Sequence, residues 1–537
     1  MHKSMRTSLL LACLTVFTMA LCGAAHSENL PIVSEWGRFE QSFRSSSAYS
    51  NALQQAALTV VFTSPLGETN PVYGFWDGGR TWRVRFSPDQ PGRWSYTTLC
   101  SDPANDGLLR QRGAFLCTAA VGTNRFRQHG SVRIARDHRH FEHADGTPFF
   151  WLADSAWNGA RLSDPKDWEM YARIRSIQKF SAVQWSVAPG QDWRQQSAST
   201  AKDQIAINPG FFQRLDAKVD ALNQAGLLSV IVPFSGTDPL PGKGTGAEAV
   251  SLLRYMVARW GANNVAWLLM CDGRAPEDVA RWKQVGRVVF GEDRHAPVVL
   301  LPGEEAFDQF RNEHWVDAFG YVTDWSDKSA LGSGALANEW GKEPARPVIN
   351  IEPTRENMLL GDHTRVTAKQ VRRAAWLSVL LTRSAGVGYS AENVANWNPT
   401  IEQLKNGPPG SDLPVWQKSL FLPGARQMSR VADFFNSIEF WRLVPTPQSL
   451  AEQPGMVSPH RYIAAAGTEA KDLELVYVPE DRTVKVWLDA LPGWPAVGWM
   501  NPQTGEKSPA VAAVEGRTCQ FPTPDPDDWL LVIKAGN

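Results

Sequence analysis

The chain has 537 residues, and its 54 Lys and Arg nearly balance its 55 Asp and Glu. That length suits two to four domains with ample cores, and the balanced charge argues against a nucleic-acid-binding protein, which usually has a basic surface. The composition is unusual in having 23 Trp but only 9 Tyr. An indole offers a flat apolar face and one N–H donor. It suits a core or a surface that stacks on sugar rings, and composition alone does not choose between them.

Residues 1–27 have the pattern of a signal peptide. A basic start precedes an apolar run over residues 8–21, and small residues follow it, as in exported proteins. We expect cleavage after Ala25 or Ser27 and a secreted or periplasmic protein. A lipid anchor on Cys22 is less favoured, because the residue before it is bulky. No later stretch reaches the ~20 apolar residues that a membrane span needs.

Residues 28–122 predict a β-sandwich, because short β-rich runs at 57–62, 82–86 and 94–96 alternate with Gly- and Pro-containing turns. Cys100 and Cys117 each end a strand-like run. In an oxidising compartment they form a candidate disulfide between neighbouring strands, and two free thiols are the equal alternative.

Residues 123–440 predict an eight-stranded (β/α)8 TIM barrel, because apolar strand-like runs alternate with amphipathic helical patterns. The predicted helices include 165–178, 209–225, 247–260, 276–290 and 368–383, and a sixth near 329–343 is weakened by three glycines. The predicted strands are Phe149–Ala153, Ala182–Val187, Leu227–Phe234, Val265–Met270, Pro297–Leu301, Gly320–Thr323, Pro347–Ile351 and Gly386–Tyr389.

Residues 441–537 return to β patterns at 474–478, 483–488, 496–500 and 529–533. They predict a second β-sandwich. The expected fold is therefore an α/β barrel flanked by N-terminal and C-terminal β-sandwich domains.

Several chemically useful residues stand at the carboxyl ends of the predicted barrel strands, where barrel enzymes place their active sites. Each has a structural alternative: Asp154 is equally suited to accept a structural hydrogen bond, and any single Trp is more often core than sugar platform. The candidate substrate contacts are Asp154, Trp157, Gln184, Trp185, Asp324, Tyr389 and Trp397.

Two carboxylates, Asp272 and Glu352, directly follow the fourth and seventh predicted strands. Strands that far apart face each other across a barrel mouth, and glycoside hydrolysis needs an opposed pair of carboxyl groups. Either residue alone could instead cap a helix or form a turn. Together, in an exported Trp-rich barrel, they predict a glycosidase.

Other chemistries are less favoured by the motifs. His138, His140 and His143 precede the first predicted strand rather than close it, and 242–246 lacks the spacing of a phosphate-binding loop. We therefore predict no metal and no cofactor.

The chain resembles the apiosidase-like catalytic domain of glycoside hydrolases. The resemblance is carried by residues 145–157 (DGTPFFWLADSAW), Gln184, residues 265–273 and residues 347–353 (PVINIEP). Residues 30–122 resemble a β-sandwich of unknown function that precedes such barrels, through 74–78, 82–86 and 91–94. The C-terminal segment is similar to a small β-sandwich named for collagen binding, a property that we do not infer.

This resemblance implies a plant or microbial polysaccharide as substrate, Asp272 as acid/base and Glu352 as nucleophile. We expect a retaining mechanism. The chain departs from the family pattern at Cys271, where Gly is usual, at Ala153, also a Gly position, and after Glu352. There the family shows an aromatic, Glu and Gly, and this chain has Thr354 to Asn357. The alternative function is a non-catalytic carbohydrate-binding or surface-adhesion protein. Oligomeric state, sugar and linkage stay open.

Overall fold

The computed structural model describes residues 29–188, 190–199, 206–233, 246–271, 276–291, 295–303, 306–323, 336–397, 415–480, 483–488 and 495–536. The predicted signal peptide lies outside these ranges. Among the residues described, no helix has the length and apolar character needed to cross a membrane.

The N-terminal domain is a sandwich of two sheets. Its five-stranded sheet has the order β1-β8-β7-β3-β4, and its three-stranded sheet has the order β2-β6-β5. The strands are β1 (Ile32–Ser34), β2 (Phe39–Arg44), β3 (Leu58–Thr63), β4 (Thr69–Tyr73), β5 (Phe75–Trp76), β6 (Thr81–Phe86), β7 (Gly92–Cys100) and β8 (Arg112–Thr118), with a short helix α1 (Ala52–Gln55).

The candidate disulfide is absent, since Cys100 and Cys117 are both free thiols. They do lie on neighbouring strands, β7 and β8. In the antiparallel register, however, Cys117 faces Gly92, and Cys100 is eight residues further along β7. At about 3.3 Å per residue, this offset places the two sulfurs far beyond bonding distance.

A short helix and a three-stranded sheet connect the sandwich to the barrel and lie at the amino-terminal end of its first strand. They are α2 (Arg125–His129), β9 (Val132–Ile134), β10 (Phe141–His143) and β11 (Pro148–Phe149).

Eight parallel strands form a closed barrel, which confirms the predicted fold. Each strand pairs with the next, and the last pairs with the first. They are β12 (Trp151–Ser155), β13 (Ala182–Ser186), β14 (Leu228–Val232), β15 (Val265–Met270), β16 (Val298–Leu301), β17 (Ala318–Val322), β18 (Val348–Glu352) and β20 (Ser384–Ala391); the two-residue β19 (Arg355–Glu356) pairs with the end of β20.

Helices surround the barrel, and polar caps set where several of them begin. Asp164 caps α4 and Asn208 caps α5, each followed by Pro at the first turn, and Thr367 with Gln370 forms a capping box on α9. The helices are α3 (Gly159–Leu162), α4 (Pro165–Ile177), α5 (Pro209–Gln224), α6 (Gly246–Trp260), α7 (Pro276–Phe290), α8 (Phe307–Phe310), α9 (Ala368–Leu380), α10 (Glu392–Asn396), α11 (Trp416–Ser419) and α12 (Pro423–Phe435).

The sixth helix was predicted near 329–343. Within the described part of that segment, the structure has a short 3-10 helix over Leu336–Gly341.

Alternate residues of the barrel strands fill two cores. Ala153, Ala182, Leu268 and Ile351 belong to the cluster inside the barrel. Their neighbours in sequence pack outwards against the helices.

The barrel closes where β20 lies between β18 and β12. A Cβ on Gly386 would lie 1.9 Å from the carbonyl oxygen of Trp151, and one on Gly388 would lie 1.8 Å from that of Ile351. Only glycine permits backbones to approach this closely, so these two residues allow the last strand to fit between its neighbours.

The C-terminal domain contains a six-stranded sheet, β21-β22-β23-β29-β25-β26, and a three-stranded sheet, β24-β28-β27. The strands are β21 (Leu443–Pro445), β22 (Ala464–Thr468), β23 (Leu473–Val478), β24 (Thr483–Trp487), β25 (Ala496–Met500), β26 (Lys507–Pro509), β27 (Ala513–Glu515), β28 (Thr518–Pro522) and β29 (Trp529–Lys534). Short 3-10 helices occupy Phe440–Arg442, Pro447–Ser449, Pro454–Met456 and Pro459–Arg461.

Buried ion pairs join both flanking domains to the barrel. On the N-terminal side, Arg85 of β6 donates to Asp216 of α5, which also accepts from Arg259 of α6. On the C-terminal side, Arg372 of α9 pairs with Asp528, just before β29.

Candidate active site

Glu352 is the last residue of the seventh barrel strand, and a β-bulge turns its side chain into the barrel mouth. Ile349 and Ile351 both face the barrel interior, so regular alternation would point Glu352 outwards to the helices. Instead, the register with β17 shifts, and Val322 pairs with Glu352 directly after Tyr321 pairs with Asn350. A bulge of this kind re-aims a side chain.

Two side chains donate hydrogen bonds to the Glu352 carboxylate. The Trp157 indole Nε1 donates to Oε1 at 3.1 Å. The Arg355 guanidinium donates from Nε to Oε1 at 2.9 Å and from Nη2 to Oε2 at 3.1 Å. The Glu352 side chain is 16% exposed. It is therefore anchored while still reaching the surface of the mouth.

Arg355 also contacts a second carboxylate. Its Nη1 lies 3.5 Å from Oε2 of Glu392, which begins α10 just after the eighth strand. Sequence reasoning did not select Arg355 or Glu392 as site residues, although the signal was present. Arg355 lies in the run after Glu352 where the chain departs from the family pattern, and Glu392 comes three residues after the predicted strand Gly386–Tyr389.

Gln184 stabilises the backbone at the bulge through hydrogen bonds. Its side-chain amide donates to the carbonyl oxygen of Ile351 at 3.0 Å and to Ser155 Oγ at 2.9 Å. Gln184 is completely buried. It therefore fixes the residue that precedes Glu352 rather than meeting a substrate directly, which differs from the predicted role.

Asp154 and Tyr389 also have structural roles, since both side chains are completely buried. Asp154 Oδ2 accepts from Tyr171 at 2.5 Å and from Arg175 at 2.7 Å, which is the structural alternative considered for it. Tyr389 donates to Glu356 Oε2 at 2.5 Å. Burial raises the pKa of the Glu356 carboxyl, and the hydrogen bonds from Tyr389 and Gly424 oppose that rise.

The indoles of Trp185 and Trp397 lie in the core. Trp185 is fully buried and donates to Ser229 Oγ at 2.8 Å. Trp397 is 1% exposed and stacks on Trp416 with ring centroids 4.1 Å apart. Neither ring offers a face to a sugar, because other side chains cover it. Of the predicted tryptophans, Trp157 is the one placed at the mouth.

Asp272 and Asp324 lie outside the described residues. The strand before Asp272 ends at Met270, whose side chain packs against the cluster inside the barrel. Across the described ranges, no group of three or more His, Cys, Asp or Glu is arranged to hold a metal ion. His140 instead stacks on Trp441, and His143 Nδ1 bonds to the carbonyl oxygen of Gly130.

Family models match all three parts of the chain. Residues 135–442 match the family described as Apiosidase-like, catalytic domain. Residues 32–101 match a domain of unknown function, DUF5060, and residues 444–534 match the "Putative collagen-binding domain of a collagenase". No curated protein matches the chain.

Solved structures show the same fold at low sequence identity. A glycoside hydrolase has a TM-score of 0.67 at 18% identity, with 78% of this chain and 99% of that chain covered. A family 5 glycoside hydrolase from Bacteroides vulgatus ATCC 8482 has a TM-score of 0.65 at 19% identity, with 76% and 94% covered. A "putative glycoside hydrolase" from the same organism has a TM-score of 0.68 at 18% identity, with 94% and 99% covered.

Proposed function

The chain belongs to the apiosidase-like family and is a glycoside hydrolase, and we propose that it cleaves a plant or microbial polysaccharide with Glu352 as nucleophile and Asp272 as acid/base. The observation that supports this best is the bulge at the end of β18. It turns Glu352 into the mouth, where Trp157 and Arg355 orient the carboxylate.

The hydrogen bonds leave the two oxygens of Glu352 unequal. Oε1 accepts from two donors, Trp157 and Arg355, whereas Oε2 accepts from Arg355 alone. A carboxylate oxygen has two lone pairs, so Oε2 keeps one for bond formation. We propose that Oε2 is the attacking atom and that Oε1 is the anchor.

The proposed reaction has two steps. In the first, Oε2 of Glu352 bonds to the anomeric carbon while Asp272 gives its proton to the departing glycosidic oxygen. In the second, Asp272 takes a proton from water, whose oxygen displaces Glu352 from the same carbon. Two displacements retain the configuration of the sugar.

Variants of the two glutamates test the nucleophile. A panel of plant and bacterial polysaccharides first identifies a substrate by the release of reducing sugar. On it, Glu352→Gln should lose at least about 10³-fold in kcat, because a neutral amide cannot form the covalent intermediate. Glu392→Gln is the matched control, since Glu392 shares Arg355 but starts a helix. If Glu352→Gln stays active and Glu392→Gln is inactive, the assignment is wrong.

The stereochemistry of the product tests the mechanism. Proton NMR of the first anomer released should show the configuration of the substrate. Glu352→Ala supplied with azide should regain activity and yield a glycosyl azide of opposite configuration, since azide then replaces the missing carboxylate. A first product with inverted configuration would exclude retention and make Glu352 a general base.

Export stays a proposal that rests on residues 1–27 alone. Fractionation of cells that produce the full chain should place activity in the periplasm or medium, with residues 1–25 or 1–27 removed. Mass spectrometry of the amino terminus checks the cleavage. A full-length chain in the cytosolic fraction would contradict it.

A further inference from the structure

A cavity of about 320 Å³ lies beside the amino-terminal end of the barrel, away from the mouth. Its inner wall includes Phe149, Phe150 and His143, which are all almost completely buried. Arg125, Lys179 and Asn436 bring polar groups to it from three separate elements. Its size is at the lower end of the range for small-molecule sites.

Arg125 is the unusual member of this group. It is partly buried on α2, yet its guanidinium makes no hydrogen bond or ion pair with any residue of the described ranges. Burial lowers the pKa of Arg125, and no carboxylate opposes that effect. Arg175 and Arg259, by contrast, each pair with a buried aspartate. Partial burial of a guanidinium costs free energy that an anion bound beside it would offset.

The other polar groups add hydrogen-bonding capacity. Lys179 is paired with Asp433 at 2.5 Å, so it brings N–H donors rather than net charge. His143 uses Nδ1 on the carbonyl oxygen of Gly130, so Nε2 is the ring nitrogen left for a ligand. The cavity therefore combines an unpaired cation, a polar rim and an aromatic wall.

We propose that this cavity binds a monosaccharide-sized anion, whose carboxylate or phosphate pairs with Arg125 and whose carbon skeleton lies against Phe149 and Phe150. The planar guanidinium fork suits either anionic group. The site is separate from Glu352 and does not depend on the catalytic assignment. It gives a sugar-degrading enzyme a second site for an acidic product or fragment.

Calorimetry on the full chain tests the proposal with four probes: glucuronate, glucose 6-phosphate, inorganic phosphate and neutral glucose. At least one sugar anion should bind, glucose should not, and inorganic phosphate should bind more weakly than the sugar anions. Binding of glucuronate alone or glucose 6-phosphate alone identifies the anionic group, and either supports the site. No binding of either sugar anion at ~10 mM, or phosphate binding as tightly as they do, would overturn the proposal.

Substitution of Arg125 tests the residue. Arg125→Met keeps an unbranched apolar stem but removes the guanidinium and its charge, and should weaken binding at least about 10-fold. Arg125→Lys should weaken it less. The matched control is Arg136→Met, which removes an exposed arginine further along the same connecting segment. An Arg125→Met protein that binds the sugar anions with unchanged affinity would contradict the proposal.

Stability distinguishes a binding role from a structural one. Without ligand, Arg125→Met should unfold at the same temperature as the wild type or higher, because the partly buried guanidinium makes no hydrogen bond or ion pair within the described ranges that its removal would break. With ligand, only the wild type should gain thermal stability. A large loss of stability in Arg125→Met without ligand, together with ligand protection equal to that of the wild type, would show that Arg125 serves the fold.

Discussion

Arg355 orients the proposed nucleophile from the run that directly follows Glu352. Its guanidinium makes two hydrogen bonds to Glu352 and approaches Glu392 with a third nitrogen. A planar fork matches a carboxylate with two parallel bonds, whereas an ammonium offers a single point of charge. Charge is thus kept when Lys replaces Arg355, but orientation is not.

We expect Arg355→Lys to lower kcat about 10–100-fold with little change in KM, because hydrogen bonds to charged groups contribute about 1.5–3 kcal/mol. Steady-state kinetics on the identified polysaccharide provide the measurement. Glu392→Gln leaves both bonds to Glu352 intact and should change kcat much less. An Arg355→Lys enzyme with wild-type kcat would show that one positive charge is sufficient.

Side-chain alternation explains which candidate residues the sequence could and could not place. Ala153 faces the barrel interior, so Asp154 must point to the helices, where it meets Tyr171 and Arg175. The residues on either side of Asp154, Ala153 and Ser155, are small enough for the crowded barrel interior. Their size was therefore a usable sign that Asp154 itself points outwards. Nothing in the sequence, however, showed that Trp397 would be covered by Trp416, because segments far from the strand end supply the cover.

At the scale of elements, the eight strands could be predicted because each is a buried apolar run bounded by helical patterns. The bulge in β18 could not, since regular alternation of Ile349 and Ile351 continues up to Glu352. It depends on contacts with two other strands. Gln184 binds the carbonyl oxygen of Ile351, and Gly388 leaves room beside that same oxygen.

Gly388→Ala should disturb both the barrel and the nucleophile. The added Cβ would lie 1.8 Å from the carbonyl oxygen of Ile351, so the backbone beside Glu352 must move. We expect a loss of about 1–3 kcal/mol or more in the free energy of unfolding and a fall in kcat. Urea unfolding and kinetics measure the two effects.

The control for Gly388 is Gly361→Ala, because a Cβ on Gly361 would meet no atom within 4 Å. It should leave stability and kcat nearly unchanged. If Gly388→Ala kept wild-type stability and kcat, β18 and β20 could move apart at little cost in free energy. The close approach of Gly388 to Ile351 would then not be needed to maintain the bulge.

At the scale of the molecule, the sequence predicted three domains but not how they are joined. Arg85, Asp216 and Arg259 are separated by tens of residues or more, and none belongs to a recognisable motif. Arg85 donates to Asp216 at 2.8 Å, and Arg259 donates to both of its oxygens at 2.7 and 2.8 Å. Arg259 also pairs with Asp77 of the N-terminal domain at 2.9 Å. The two domains therefore share one buried network of charges.

Substitution of Asp216 should weaken this joint strongly. Asp216→Asn leaves Arg85 and Arg259, which are 6% and 0% exposed in their side chains, without their shared carboxylate. Removing one partner from a buried pair costs about 3–5 kcal/mol. Asp220→Asn is the control, because the Arg38–Asp220 pair at the same interface is 29% exposed on both sides. It should cost about 1 kcal/mol or less.

The contribution of Asp216 to stability should also depend on pH, and it should be lost only at low pH. Burial acts to raise the pKa of Asp216, but Arg259 and Arg85 outweigh it and lower the pKa below its ordinary value. The stability that Asp216 contributes is thus complete above about pH 4 and is lost as the pH falls through the lowered pKa. Urea unfolding at a series of pH values gives the free energy of unfolding of each protein. The difference in this free energy between wild type and Asp216→Asn should be constant near neutrality. That difference should narrow only below about pH 4. A difference that narrows already between neutrality and pH 5 would mean that the arginines do not hold this carboxylate ionised.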